Sequence, residues 1–269
     1  MEGVVYTMKL KKTLLNSQIK AYYPNELDYN LAKITTALFA NDYMESQIAG
    51  LERVKLNEKY RVYRFQYGGE VYYLKKYVSP TVNYRIKNAI RLSKAVGSMR
   101  KALQLKASGL EVAEPVAAFT YQKNIFRKES IYVAKNYPGI TMLEFLNSDA
   151  ASESKKQALL EFAAVYGRFY KCGFYHIDPF PTNFMVQERN GQYAFGFIDL
   201  EAIRHFPRAL DIATLKSLQH IHRYFLEGLF EGNRWIVSDK AEIQLLLKSF
   251  LSVYKPFVGF SKVMRHLRC

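Results

Sequence analysis

Cysteine is nearly absent: Cys172 and Cys269 are the only two, far apart and without the spacing of a metal-ligand pair. This excludes a disulfide framework or a thiolate metal knuckle and fits free thiols in a reducing compartment. No apolar run approaches the roughly 20 residues needed to cross a bilayer. The opening MEGVVYTMKLKK also lacks the apolar stretch and cleavage site of a secretory signal. The expectation is a cytoplasmic protein, with at most peripheral contact with the inner face of the membrane. Internal repeats, low-complexity tracts and obvious linkers are missing too, so any division of the chain must show as a change of pattern.

Acidic residues are scarce. The 24 Asp and Glu stand against 39 Lys and Arg, a formal charge of +15. Such an excess favours anionic partners: nucleic acid, an acidic membrane surface or a phosphorylated substrate. Seven basic residues (Arg85, Lys87, Arg91, Lys94, Arg100, Lys101, Lys106) lie between Thr81 and Gly109 with no acid among them. A solvated helix face explains this run as well as a binding surface does. No RNA-recognition signature accompanies it, which makes nucleic acid the weakest of the three partners.

What the chain has in quantity is apolar and aromatic residues: 49% and 15% of its 269 positions, enough for a sizeable core. From Arg53 to Val78 the pattern predicts three antiparallel strands, Arg53 to Leu56, Tyr60 to Tyr67 and Glu70 to Tyr77, with a Gly68-Gly69 hairpin between the last two. A basic helical region follows up to Lys106, stopped at Gly109. Pro115 to Thr120 and Ser130 to Lys135 read as two further strands, and Asn136-Tyr137-Pro138-Gly139 breaks the pattern. Beyond Thr141 apolar spacings of three and four predict helices over Ala158 to Tyr170, Ile212 to Leu229 and Ala241 to Tyr254. Two short strands, Phe184 to Gln187 and Tyr193 to Ile198, fall between the first two of these. The expected class is α+β: a small five-stranded antiparallel lobe with one main helix over 51–135, then a mostly helical lobe over 136–269. Residues 1–50 read as an extension packed on the smaller lobe, with Leu27 to Ala40 as a candidate helix.

The chemistry concentrates between Tyr175 and Ile203. His176, Asp178 and Asn183 form an H-x-D-x-x-x-x-N pattern, and Asp199 follows Asn183 by sixteen residues within Phe197-Ile198-Asp199-Leu200-Glu201. The first pattern alone would arise by chance in about one chain in a hundred; the pair is much rarer. Phosphoryl transfer asks for such a set, since the protein must position an acceptor hydroxyl and neutralise a triphosphate. Asp178 would take or orient the hydroxyl proton, while Asn183 and Asp199 would hold Mg²⁺ through oxygen atoms. Pro181 would stiffen the loop. His176 reads as a packed brace rather than a base. Against all this stands a turn-rich connector whose polar side chains only cap their neighbours, which leaves the joint spacing unexplained.

These residues resemble the catalytic and metal loops of the protein-kinase-like superfamily, with HIDPFPTN where protein kinases carry HRDLKPEN. More closely the chain resembles the bacterial lipopolysaccharide kinases, the Kdo and core-heptose kinase family. Tyr72-Tyr73-Leu74-Lys75-Lys76-Tyr77, Gly109 to Val116 and Ile198-Asp199-Leu200-Glu201 carry that likeness, which spans about Arg53 to Leu218. The resemblance implies a bilobal protein-kinase-like fold and an ATP- and Mg²⁺-dependent kinase acting on a sugar hydroxyl of a lipid-linked anionic saccharide. It implies Lys75 as the lysine on the nucleotide phosphates. Lys76 competes for that role, because strand alternation lets only one of the two enter a cleft. Ala134 to Tyr137 would form the hinge, making Val133, Ala134 and Asn136 nucleotide contacts beside Asn183 and Asp199. Asp211 would match the family's helix-start aspartate.

The departures matter equally. The loop Leu56 to Tyr60 has no glycine, so the flexible phosphate cover of protein kinases is missing or built otherwise. The acid-free helix offers Lys75 no ion-pair partner, leaving Glu111, Glu114 or an acid of the first fifty residues as substitutes. Glu201 stands where protein kinases have a glycine and reads either as a further metal ligand or as a partner for Arg204. Arg204, Arg208 and the basic helix are candidate anion contacts, and Lys262, Arg265 and Arg268 candidates for acidic lipid heads. Two other functions fit the sequence: a soluble small-molecule kinase of the choline or aminoglycoside type, and a non-catalytic basic module binding nucleotide or nucleic acid.

Overall fold

The structure is a computed structural model that describes residues 10–40, 48, 50–78, 92–124, 127–205 and 240–253. Arg85, Lys87, Arg91, Arg208, Asp211, Lys262, Arg265, Arg268, Cys269 and the helix expected over Ile212 to Leu229 lie outside the described residues. The chain forms two compact units. One comprises Val5–Ala107 and Ala113–Tyr137, the other Met1–Val4, Ser108–Val112 and Pro138–Cys269. No helix of the described residues is long and apolar enough to cross a membrane.

The first unit is built on an antiparallel sheet of β1 (Lys11–Leu14), β2 (Ile19–Tyr23), β3 (Leu51–Leu56), β4 (Tyr60–Tyr67), β5 (Glu70–Tyr77), β7 (Pro115–Asn124) and β8 (Arg127–Lys135). Its spatial order is β1-β2-β7-β8-β5-β4-β3. The five strands expected from sequence are all present, but the sheet has seven. Residues 11–23 supply the additional pair, because β2 continues the ladder on β7 from Ile19 opposite Tyr121 to Tyr22 opposite Ala118. Gly68 and Gly69 take φ of +59° and +79°. Two consecutive positive φ values give the tight turn whose twist matches a β-hairpin, and β4 and β5 pair without slippage from Tyr60 opposite Tyr77 to Tyr67 opposite Glu70.

Helix α1 (Tyr29–Ala40) starts where Asp28 accepts the N–H groups of Asn30 and Leu31 at 2.9 and 3.0 Å, a side-chain cap. Its Leu31, Ala32, Leu38 and Phe39 pack on Tyr63, Phe65, Leu74, Phe119, Ile131 and Val133 of one sheet face. Helix α2 (Lys94–Ala107) covers the other face. The alternating Ser130 receives the Ala95 N–H, and Tyr77 shares a hydrogen bond with Ser98. Gly109 follows α2 with φ +72°, the left-handed stop that a side chain resists.

The second unit contains α3 (Met142–Asn147), α4 (Ser152–Lys171) and α5 (Lys240–Val253). Its strands are β6 (Glu111–Val112), β9 (Ile140–Thr141), β10 (Phe174–His176), β11 (Phe184–Arg189), β12 (Gln192–Phe197) and β13 (Ile203–His205). They form one sheet of order β6-β12-β11-β9 and one β10-β13 pair. Thr141 and Glu144 cap α3 reciprocally, a capping box with T-x-x-E spacing. An aromatic core joins helix to hairpin: Phe169 stacks on Phe197 at 4.7 Å between centroids, and Phe162 meets Phe184 edge-on at 4.9 Å. Gly167 lets α4 approach α5 closely, since a Cβ there would lie 2.5 Å from the Phe250 carbonyl oxygen.

Lys76 is a charged residue buried in the first unit's core. At 3% exposure its Nζ donates to the Leu38 carbonyl at 2.6 Å and stands 3.8 Å from the Glu129 carboxylate. Truncating one member of a buried pair leaves the other charge uncompensated. Glu129→Gln should therefore lower stability by about 3 kcal/mol, read as a smaller urea midpoint. Gly167→Ala should cost about 1–3 kcal/mol through forced separation of α4 and α5; an unchanged melting curve would show that this contact yields freely.

Candidate functional site

Two loops carry the residues singled out in the sequence, and main-chain bonds hold them side by side. Strand β10 pairs with β13, His176 opposite Ile203. Just past that pair the Ile177 N–H donates to the Ala202 carbonyl at 3.0 Å. The second tie comes from the β11–β12 hairpin, whose Phe184 lies opposite Phe197. There the Ile198 N–H donates to the Asn183 carbonyl at 3.2 Å. The segment 177–183 is thus latched to 198–202 at both ends, which brings Asp178, Asn183, Asp199 and Glu201 into one neighbourhood.

Inside the first loop the Phe180 N–H donates to the Asp178 carbonyl, and the Asn183 N–H to the Phe180 carbonyl, each at 2.8 Å. Pro181 opens the 3-10 turn Pro181–Asn183, where a missing N–H costs nothing. The Asn183 side chain closes the loop: Nδ2 donates to the Asp178 carbonyl at 2.9 Å. That commits the amide nitrogen and leaves Oδ1 as the atom offered to a cation. His176 is 1% exposed, packs 5.6 Å from the Phe184 ring, and its Nδ1 accepts the Asp178 N–H at 3.2 Å. It braces the loop, as its packing position suggested. The Asp178 side chain is exposed; Asn183, Asp199 and Glu201 are half-buried.

Asp199 precedes the 3-10 turn Leu200–Ala202, and its carbonyl accepts the Ala202 N–H at 3.1 Å. The Oε2 atom of Glu201 is sealed from solvent. Arg204, the weighed alternative partner, donates to the main-chain carbonyls of Glu201 at 2.6 Å and Ile203 at 3.1 Å. Among the described residues no three His, Cys, Asp or Glu side chains form a metal cage. Mg²⁺ does not need one. It is held by one or two carboxylates plus phosphate oxygens and water, and Asp199 with the Asn183 oxygen is a donor set of that kind.

In the first unit, alternation along β5 sends the two lysines to opposite faces. Lys76 is spent on Leu38 and Glu129, whereas Lys75 projects from the opposite, α2-facing side. Its ammonium sits 4.5 Å from the Tyr60 ring centroid and 5.5 Å from that of Tyr77, an electrostatically favourable seat for a cation. Of the acids weighed as its partners, Glu114 bonds Lys106, Glu111 meets Arg189 at 2.9 Å, and Asp28 caps α1. Val133 and Ala134 are buried on central strand β8, with Val133 in the core cluster. Their main chain lies in the ladders with β5 and β7. Asn136 is exposed and its N–H donates to the Val71 carbonyl at 2.7 Å. The sequence reading missed β13, whose Ile203–His205 pairing supplies one of the two latches; three residues carry no periodicity to find it by.

Comparison with known proteins places this geometry in context. No curated protein matches the chain closely enough to count as a relative. Many solved structures share the fold. One of them is described as WaaP in complex with acyl carrier protein. It matches with a TM-score of 0.58 at 15% identity, covering 86% of this chain and 89% of that one. At that identity the likeness speaks for fold alone: a mixed α and β architecture with a large antiparallel sheet. The sequence pattern of the Lipopolysaccharide kinase (Kdo/WaaP) family matches residues 52–249, a span that takes in the loop from Ile177 to Asn183, Asp199, Lys75 and most of both units. The chain therefore belongs to the lipopolysaccharide kinase (Kdo/WaaP) family.

Proposed function

We propose that the protein transfers the γ-phosphoryl group of ATP to a sugar hydroxyl, of Kdo or heptose, in the inner core of lipopolysaccharide at the cytoplasmic face of the membrane. The observation that carries this reading is the double latch between loops 177–183 and 198–202. It holds a carboxylate that is open to solvent beside two half-buried oxygen donors. Asp178 takes the proton of the acceptor hydroxyl as that oxygen attacks the γ-phosphorus and the bond to the bridging oxygen of ADP breaks. Asn183 and Asp199, with Glu201 as a further candidate, hold Mg²⁺. The ion would supply charge neutralisation on the phosphate oxygens. Lys75 is assigned to the phosphates, and Val133, Ala134 and Asn136 to the base.

The formal charge of +15 suits a phosphorylated, membrane-borne saccharide. It equally suits an acidic protein surface, so the carrier protein seen with the structural neighbour joins the partners to be tried by co-elution. Lipopolysaccharide from cells carrying Asp178→Asn protein should lack the mass of one phosphate that wild-type cells show by mass spectrometry. Removal of a general base lowers turnover by roughly 10²–10⁴-fold. Unchanged lipid together with phosphate incorporated into a water-soluble amine or sugar would replace this reading with the small-molecule kinase. Asp199→Ala should reduce Mg²⁺-dependent ATP turnover by roughly 100-fold or more while its circular dichroism matches wild type; full turnover would refute the metal assignment.

A further inference from the structure

Strand β3 is the edge of the first sheet, and its pairing with β4 is interrupted once. Arg53 stands opposite Tyr63, yet the next aligned residue is Lys55, opposite Val62. Val54 is the extra residue, left 52% exposed. Directly opposed residues share a face, so this single insertion decides which way Lys55 points. Without it Val54 would oppose Val62, and Lys55 would oppose Arg61, whose own partner on β5 is Lys76. That register would set three basic residues in a row on the α1 side. With the bulge, Lys55 joins Val62 and Lys75 on the α2-facing side instead.

A bulge that re-aims one side chain is a feature found at sheet edges and beside functional sites. A lysine on an edge strand has a simpler use, as charge that discourages pairing with another chain. Lys55 would serve that purpose from either face, and the bulge would then be unnecessary. Its cost is an exposed valine and a broken ladder, and what it achieves is the delivery of one ammonium to the face that carries Lys75.

The two ammonium groups share a neighbour. Tyr60 lies on the same face as Val62, two positions along β4. The Lys55 ammonium is 5.8 Å from its ring centroid, and that of Lys75 is 4.5 Å away. The longer distance is close to the limit of about 6 Å at which a ring still attracts a cation. Lys55 is exposed, and it makes no ion pair or hydrogen bond among the described residues. Its charge is therefore loosely seated and open to a ligand. Val62, the residue between the two lysines in the row, is apolar and neutralises neither.

The hairpin tip beyond Lys55 is fixed. The Asn57 side chain accepts the Lys59 N–H at 3.0 Å, and the Val78 N–H donates to the Lys59 carbonyl at 3.1 Å. An anion on this face thus meets side chains of the hairpin rather than a main chain that folds over it. Two lysines on alternate strands, separated by about 10 Å of backbone, suit a chain of phosphates, which offers each of them an oxygen, better than a single phosphate.

We infer that Lys55 is a second phosphate-binding lysine of the nucleotide site, presented by the β3 bulge so that its ammonium meets the polyphosphate beside Lys75. This rests on the proposed reading of Lys75 as the lysine on the phosphates. It assigns to one side chain of the glycine-free hairpin a share of the charge neutralisation at that site.

The probe is ATP with Mg²⁺, titrated calorimetrically into the full chain at constant ionic strength. Lys55→Gln should weaken binding about tenfold, as loss of a hydrogen bond between charged groups does. Lys55→Arg, which keeps the charge, should recover most of that loss. Lys12→Gln makes the same change of charge on β1, at the opposite edge of the sheet, and should bind as the wild type does. All three should melt with the wild type, because the substituted side chains are exposed. Equal ATP affinity in wild type and Lys55→Gln, with turnover still lost in Asp199→Ala, would overturn the role of Lys55 and leave the transfer reaction standing. Equal losses in Lys55→Gln and Lys55→Arg would overturn it by showing that hairpin shape and not charge matters. A loss in Lys12→Gln as large as in Lys55→Gln would overturn it in favour of bulk charge. A wild type that binds no ATP would remove the transfer reaction and the role of Lys55 together.

Discussion

The alignment of Phe184 with Phe197 is the contact on which the second unit's chemistry rests. Both rings are buried, and their pairing fixes the register of β11 against β12. Asn183 immediately precedes one strand and Ile198-Asp199 immediately follow the other, so the hairpin register sets which residues of the two loops stand abreast. A slip of one position would reverse the facing of every side chain on the moved strand. It would also break the Ile198-to-Asn183 hydrogen bond. The stack of Phe169 on Phe197 and the edge contacts of Phe162 and Tyr166 on Phe184 make such a slip expensive. Aromatic packing far from solvent is in this sense what holds the polar loops in place.

The first unit solves a different problem, that of adjacent lysines on one strand. Because side chains alternate, Lys75 and Lys76 leave β5 on opposite faces. The face under α1 is apolar and closed, and Lys76 is tolerated there only through the Leu38 carbonyl and Glu129. This makes residues 11–40 part of the unit's core rather than an appendage: they provide two strands, a covering helix and the carbonyl that receives a buried ammonium. The other face keeps Lys75 over the Tyr60 and Tyr77 rings, half-buried and directed away from the closed core.

Legibility from the sequence followed the length of each element and the locality of its interactions. Strands β4 and β5 could be read to the residue because eight positions of aromatic and β-branched character end at a Gly-Gly turn. Strands β1 and β2, KKTL and IKAYY, are short and mix charge with apolar residues; β2 becomes a strand by pairing with β7, about a hundred positions away, and β1 by pairing with β2. The spacing of Asp178, Asn183 and Asp199 could be read as a pattern in the sequence, but the main-chain ties that bring their loops together could not. The pairing of Glu111 with Arg189, by contrast, depends on β6 lying beside β12, a parallel contact between remote segments that no local pattern announces.

The glycine-free loop between β3 and β4 follows from how that turn is made. Asn57 accepts the Lys59 N–H on its side-chain oxygen at 3.0 Å, and its own N–H donates to the Tyr60 carbonyl at 2.9 Å. This Asx-type turn reverses the chain without a positive φ; among the described non-glycine residues only Asn190 adopts one. A second bond, from the Val78 N–H to the Lys59 carbonyl at 3.1 Å, ties the tip to the end of β5. The hairpin is therefore a stiff element, whereas a glycine-rich one would bend onto its ligand. A stiff hairpin keeps the Tyr60 ring where Lys75 rests, so the lysine is held by its own sheet. Two ring faces are thus part of what positions the Lys75 ammonium.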